Sequence, residues 1–171
     1  MKWVWIVLAV VAGTVALAAG IGAMLDPDHS ASRRAIIPRP PAEAWARITD
    51  FANVPSWRSD LSRIDLEPGT PTTFVEHTDQ GKVRMQVEER VDAQRMVVRI
   101  ADPSLPFSGS WTFELAARDG GTELVITERG SIRNPIFRLL SKLFFDPGAT
   151  ASRYLVDLGQ SFGATVEPTA G

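Results

Sequence analysis

Glu76, Glu89 and Glu128 are the residues best placed to do chemistry in this sequence. Glu76 follows Phe74 by two positions. Glu89 falls in step with Val83, Met85, Val87 and Val91, and Glu128 with Leu124 and Ile126. Side chains of a strand alternate between its faces, so an acid in register with an apolar set points at the interior. A buried carboxylate must be protonated, paired or hydrated. Such a group can orient a ligand or transfer a proton. The competing accounts are that strand ends reach solvent, that a bulge shifts the parity, or that Arg99 and Arg129 neutralise the acids. They weigh most on Glu128, near a strand end. Glu76 and Glu89 are therefore the candidate polar and catalytic groups.

The aromatic residues Trp57, Phe74, Phe107, Trp111, Phe113 and Tyr154 form a second set. Phe113 needs only a core role. Trp57, in "VPSWRSDL", and Phe107, in the loop "DPSLPFSG", sit in irregular stretches. Loops on a rigid scaffold commonly carry binding. The candidate ligand-binding residues are thus Trp57, Phe74, Glu89, Phe107, Trp111 and Tyr154.

Other chemistries lack their residues. There is no cysteine, which excludes thiol catalysis, disulfides and Cys-ligated zinc. His29 and His77 are far apart and belong to no ligand pair, so no metal site is expected. His29 reads as a solvated linker residue. "GTPTTF" lacks the Lys and spacing of a phosphate loop, and no Gly-x-Ser-x-Gly nucleophile turn is present. No cofactor is expected. Lys plus Arg number 18 and Asp plus Glu 20, a net charge of -2, which gives no basic face for nucleic acid.

The elements that must position these residues follow an apolar N-terminus. Trp3 to Leu25 carries no charge and is long enough to cross a hydrocarbon core as a helix. Lys2 and the chain amine precede it, and Trp3 and Trp5 suit a membrane interface. The alternative is a cleaved signal peptide, with Ala16-Leu17-Ala18 as a small-x-small site, although the apolar run continues past it. Residues 1–25 are thus an anchor or a signal peptide. Lys2 favours a cytoplasmic N-terminus and an extracytoplasmic domain, against the pull of Arg33, Arg34 and Arg39. Residues 26–31 read as a polar tether.

Beyond the tether the periodicity predicts a short strand over Arg33–Ile37 and a helix opened by Pro41 carrying Ala44, Trp45 and Ile48. Period-two strands then run to about residue 128, with a turn at Asp79–Gly81. Two helical stripes close the chain, Ile136–Phe144 and Tyr154–Phe162, separated by "DPG". Residues 164–171 form a polar tail. One antiparallel sheet has a face to cover, and the C-terminal helical region is the large apolar element left to cover it.

"IPRPPAEAWARITDFANVPSWRSDLSRI", "GSWTFEL", "GGTELVITERG" and "NPIFRLL" together resemble the START-like, helix-grip superfamily, also called SRPBCC or polyketide cyclase/dehydrase and lipid transport proteins. The likeness covers about residues 32–162, nearly all of the chain beyond the apolar N-terminus, within a domain of residues 32–163. It implies an α+β fold, with a curved antiparallel sheet of about seven strands around a long C-terminal helix. It also implies a cavity between them for a hydrophobic small molecule or lipid. The leading expectation is a membrane-anchored binding domain. The alternatives are a cyclase-type enzyme using Glu76 or Glu89 as acid/base, and an accessory domain for a membrane partner.

Overall fold

The computed structural model describes residues 2–79, 81–144 and 146–171. The turn expected at Asp79–Gly81 includes Gln80, which lies outside them. The chain opens with helix α1 (Lys2–Met24), then β1 (Asp28–Ile37), α2 (Pro41–Thr49) and a single 3-10 turn (Val54–Ser56). Six strands follow: β2 (Leu61–Glu67), β3 (Thr73–Thr78), β4 (Gly81–Val91), β5 (Arg95–Ile100), β6 (Phe107–Arg118) and β7 (Gly121–Ile132). Helices α3 (Pro135–Phe144) and α4 (Ala149–Ser161) precede a two-residue strand β8 (Thr169–Ala170).

The strands form one antiparallel sheet in the order β2-β3-β4-β5-β6-β7-β1-β8. It has eight strands, one more than expected. The extra one comes from the tail read as polar, where Thr169 and Ala170 pair with Arg34 and Arg33. The tether is also shorter than expected. β1 starts at Asp28, so His29 lies in a strand opposite Gly130.

The inner face carries Ile37, Phe74, Met85, Val98, Phe113, Leu124 and Ile126. Ala151, Tyr154, Leu155 and Leu158 of α4 close over it, with Ala44, Trp45 and Ile48 of α2. These residues lie on helical stripes, so each short helix buries one side. The C-terminal helical region divides its work. α4 grips the sheet through β1 and β7, while α3 packs chiefly against α1.

Candidate functional site

The inner face has a closed half and an open half. In the closed half the Trp57 ring stands edge-on to Tyr154, with centroids 5.2 Å apart, and Tyr154 leans on Phe113 at 5.3 Å. Phe74 stacks on Phe51. The stretch "VPSWRSDL" is held against α4 by Asp157, whose buried carboxylate accepts hydrogen bonds from the Ser59 backbone N–H (2.7 Å) and Oγ (2.8 Å). Trp57 and Tyr154 are thus in ring contact, and Phe74 belongs to the same core cluster. Trp57 Nε1 is buried without a hydrogen-bond partner among the described residues.

Beside these rings lies a buried charge cluster. The Arg58 guanidinium donates to Glu76 at 2.7 Å and to both oxygens of Asp60 at 3.0 and 2.7 Å, and it covers the Tyr154 ring at 5.3 Å. Burial alone would lower the Arg58 value, but Glu76 and Asp60 together raise it. Burial lifts the Glu76 carboxyl above its ordinary value, and Arg58 pulls it back. The direct ion pair keeps the guanidinium charged throughout the physiological range. Burial also pushes the Tyr154 hydroxyl up. Glu76 therefore does face inward, but as a paired anion rather than a free acid. Arg58 and Asp60 went unnoticed in the sequence because loop charges beside a proline look solvated.

Glu89 does not belong to the site. The β4–β5 register shifts between Val87 and Glu89, a bulge that reverses the parity on which its inward direction was based. It is exposed and pairs with Arg95 at 3.1 Å, which also holds Glu114. Phe107 is not in a loop. It is the first residue of β6, opposite Ile132, and is 38 % exposed.

The open half lies past the start of α4. Arg33 donates to the Pro147 carbonyl beside the helix's first turn. Inward positions further along β1, β6 and β7 therefore lie beyond α4. Trp111 pairs with Glu128, which pairs in turn with Ala31; Gly109, Gly130 and His29 form the next row, and Phe107 and Ile132 the last. His29 lies flat against Gly130, where a Cβ would come within 2.4 Å of its ring. Burial lifts the Glu128 carboxyl above its ordinary value; the Trp111 indole and His29 act against this. The indole contact falls short of a hydrogen bond, and Trp111 Nε1 has no partner among the described residues. No ion pair to Glu128 forms among them. Glu128, discounted in the sequence as a strand-end residue, is thus an inward acid of the sheet that makes no ion pair among the described residues.

Two open depressions mark the surface of the domain. One of about 710 Å³ is lined by Arg99, Ser110, Arg129 and Ser30 of the outer face and by His29, Ile100, Gly109 and Gly130 of the open half's row. The other, about 520 Å³, lies between α2 and Phe162. The described residues hold no cluster of His, Asp and Glu fit for a metal ion.

A curved antiparallel sheet closing on one helix, with polar groups aimed into an apolar interior, defines a helix-grip domain. The polyketide cyclase/dehydrase and lipid transport family model matches residues 28–154, and the chain belongs to that family. No protein of curated function matches it. Among solved structures, the di-domain ARO/CYC BexL from the BE-7585A biosynthetic pathway is 13 % identical with a TM-score of 0.66; the match covers 92 % of this chain and 59 % of BexL. The di-domain ARO/CYC StfQ from the steffimycin pathway is 13 % identical with a TM-score of 0.61, over 78 % of this chain and 50 % of StfQ. A Mesorhizobium loti protein is 19 % identical with a TM-score of 0.59, over 79 % of this chain and 97 % of its own. At these identities the likeness is one of fold.

Proposed function

We propose that this domain binds an amphipathic small molecule or lipid in the open half of the sheet's inner face. The observation that carries the reading is the Trp111 indole N–H, buried without a partner beside a carboxyl lifted by burial. A buried donor left unmatched costs about 1–3 kcal/mol. An acceptor oxygen on a ligand would recover that loss. Trp111 and Glu128 would hold the ligand's polar end, with Phe107 and Ile132 against its apolar part. Trp57, Phe74 and Tyr154 wall off the far end. Family membership supports a hydrophobic ligand.

Helix α1 supports the second half of the reading, that the domain is tethered to a membrane. It is long and apolar enough to span, and its side chains are exposed along most of its length. The tether would keep the site where lipid-like ligands concentrate. Lys2 supports a cytoplasmic N-terminus and a domain on the opposite side.

Glu128 also favours a second reading, cyclase-type acid/base chemistry. An inward carboxyl that makes no ion pair and is raised by burial is suited to proton transfer. Glu76 is a poorer candidate for that work because Arg58 holds it.

The test is saturable uptake of a fluorescent fatty-acid analogue by the full chain in nanodiscs, with empty nanodiscs as the blank. Trp111→Phe keeps the ring and removes the donor. It should weaken uptake by about tenfold, the worth of one hydrogen bond. Folded protein showing no uptake beyond the blank would refute binding.

A further inference from the structure

We propose that α3 is a second membrane-embedded element, lying beside the last turns of α1 with its free face in the lipid of a bilayer containing anionic headgroups. This rests on the reading of α1 as a membrane span.

Three observations on α3 point the same way. First, Phe137, Leu140, Leu143 and Phe144 recur at helical spacing and share one face. They are 50, 40, 65 and 75 % exposed. Four large apolar side chains on a ten-residue helix make a contiguous patch, which in water marks an interaction surface.

Second, α3 is fixed to α1. Ala18, Ala19 and Gly22 are the α1 positions before its end that lose exposure, while Leu17, Ile21 and Met24 stay open. At Gly22 a Cβ would come within 1.9 Å of the Pro135 carbonyl oxygen, so the start of α3 touches the α1 backbone there. Arg138 donates to the Gly22 carbonyl at 3.1 Å and to the Leu25 carbonyl at 2.8 Å, capping the C-terminal end of α1. It also holds the Ile132 and Arg133 carbonyls. One guanidinium therefore ties the end of the span to the end of β7 and the start of α3. The free apolar face of α3 continues the free apolar surface of α1.

Third, the charges suit the headgroup level. Arg133, Lys142 and Arg153 are exposed around α3, against the single acid Asp146 between residues 133 and 153. Lysine stems lie along apolar surface while their heads reach water or phosphate. An amphipathic helix of this kind lies in the interface, with binding strengthened by anionic lipid. α3 starts three positions after Ile132, which stands opposite Phe107. Seating α3 in lipid would place the open half of the inner face at the bilayer surface.

The chain has no cysteine, so single labels can be placed at will. Leu143→Cys, Val11→Cys and Ala117→Cys are each labelled with bimane in the full chain. The proteins are reconstituted into nanodiscs of phosphatidylcholine with phosphatidylglycerol, carrying a nitroxide-labelled phosphatidylcholine. The label at 143 should lose most of its emission, as should the one at 11 within α1, while the one at 117 on the far β6–β7 hairpin keeps its own. Quenching at 11 without quenching at 143 overturns the proposal and leaves α1 as a span. No quenching at 11 overturns both. Adding Gly22→Leu should release 143 from the quencher while 11 stays quenched. Quenching at 143 that survives Gly22→Leu would overturn the clamp between the helices.

Discussion

Removing the Arg58 guanidinium tests the buried cluster most sharply. Its side chain is 10 % exposed and that of Glu76 15 %, so water screens their contact little. Asp60, at 21 %, is better hydrated. Arg58→Met keeps the packing volume but strands two carboxylates beside the Tyr154 ring. Breaking a buried pair from one side costs 3–5 kcal/mol, and the hydration of Asp60 puts the expectation at the low end, about 3 kcal/mol. For a chain of this size that is a drop of about 6–12 °C in Tm. Glu76→Gln leaves the Arg58–Asp60 fork intact and should cost about 1 kcal/mol. The double variant should be less stable than Glu76→Gln by clearly less than Arg58→Met is below the parent. The pH dependence has a definite sign. Without Arg58, burial and the neighbouring Asp60 charge both act on Glu76, so its folded value rises further above its unfolded one. Stability from such a group is intact below the unfolded value and lost as pH rises through the folded one. The deficit of Arg58→Met should therefore shrink between about pH 7 and pH 5. The assay is thermal unfolding of the full chain in detergent, followed by tryptophan fluorescence and near-ultraviolet circular dichroism. A Tm loss for Arg58→Met no larger than that for Glu76→Gln, at both pH values, would refute the reasoning.

Three further outcomes follow from single contacts. Asp157→Ala removes the anion that accepts both Ser59 bonds and should cost about 2 kcal/mol, read as a Tm loss. Glu128→Gln should be more stable than the parent at neutral pH and lose that advantage as pH falls into the ordinary carboxylate range. The sign follows from burial raising the folded carboxyl value, so the contribution is lost as pH climbs through it. Glu89→Gln should leave both Tm and ligand uptake unchanged, because its pair with Arg95 lies at the surface.

Much of the fold was legible from periodicity. Ala44, Trp45 and Ile48 announced α2, and Tyr154, Leu155 and Leu158 announced the gripping face of α4, because a helix that buries one side must repeat its apolar residues. The sheet was legible for the same reason at period two. What escaped was set by tertiary pairing. Nothing local marks the bulge between Val87 and Glu89, yet it turned Glu89 outward. His29 looked like tether until β1 proved to start at Asp28 and laid its ring on Gly130. Arg58 looked like a solvated loop charge, and its partner Glu76 is 18 positions away. The stripe Phe137–Leu140–Leu143–Phe144 was visible, but periodicity cannot say what an apolar face will meet. The core and lipid ask for the same residues.

Occupancy of the inner face decides the central claim, and native mass spectrometry of the full chain extracted from the membranes that produce it measures occupancy directly. A discrete mass increment of lipid or small-molecule size is expected on the parent and on Glu89→Gln, and is expected to be lost or sharply reduced in Trp111→Phe. A parent spectrum at the bare chain mass, or an increment equally retained by Trp111→Phe, would contradict a ligand held at Trp111.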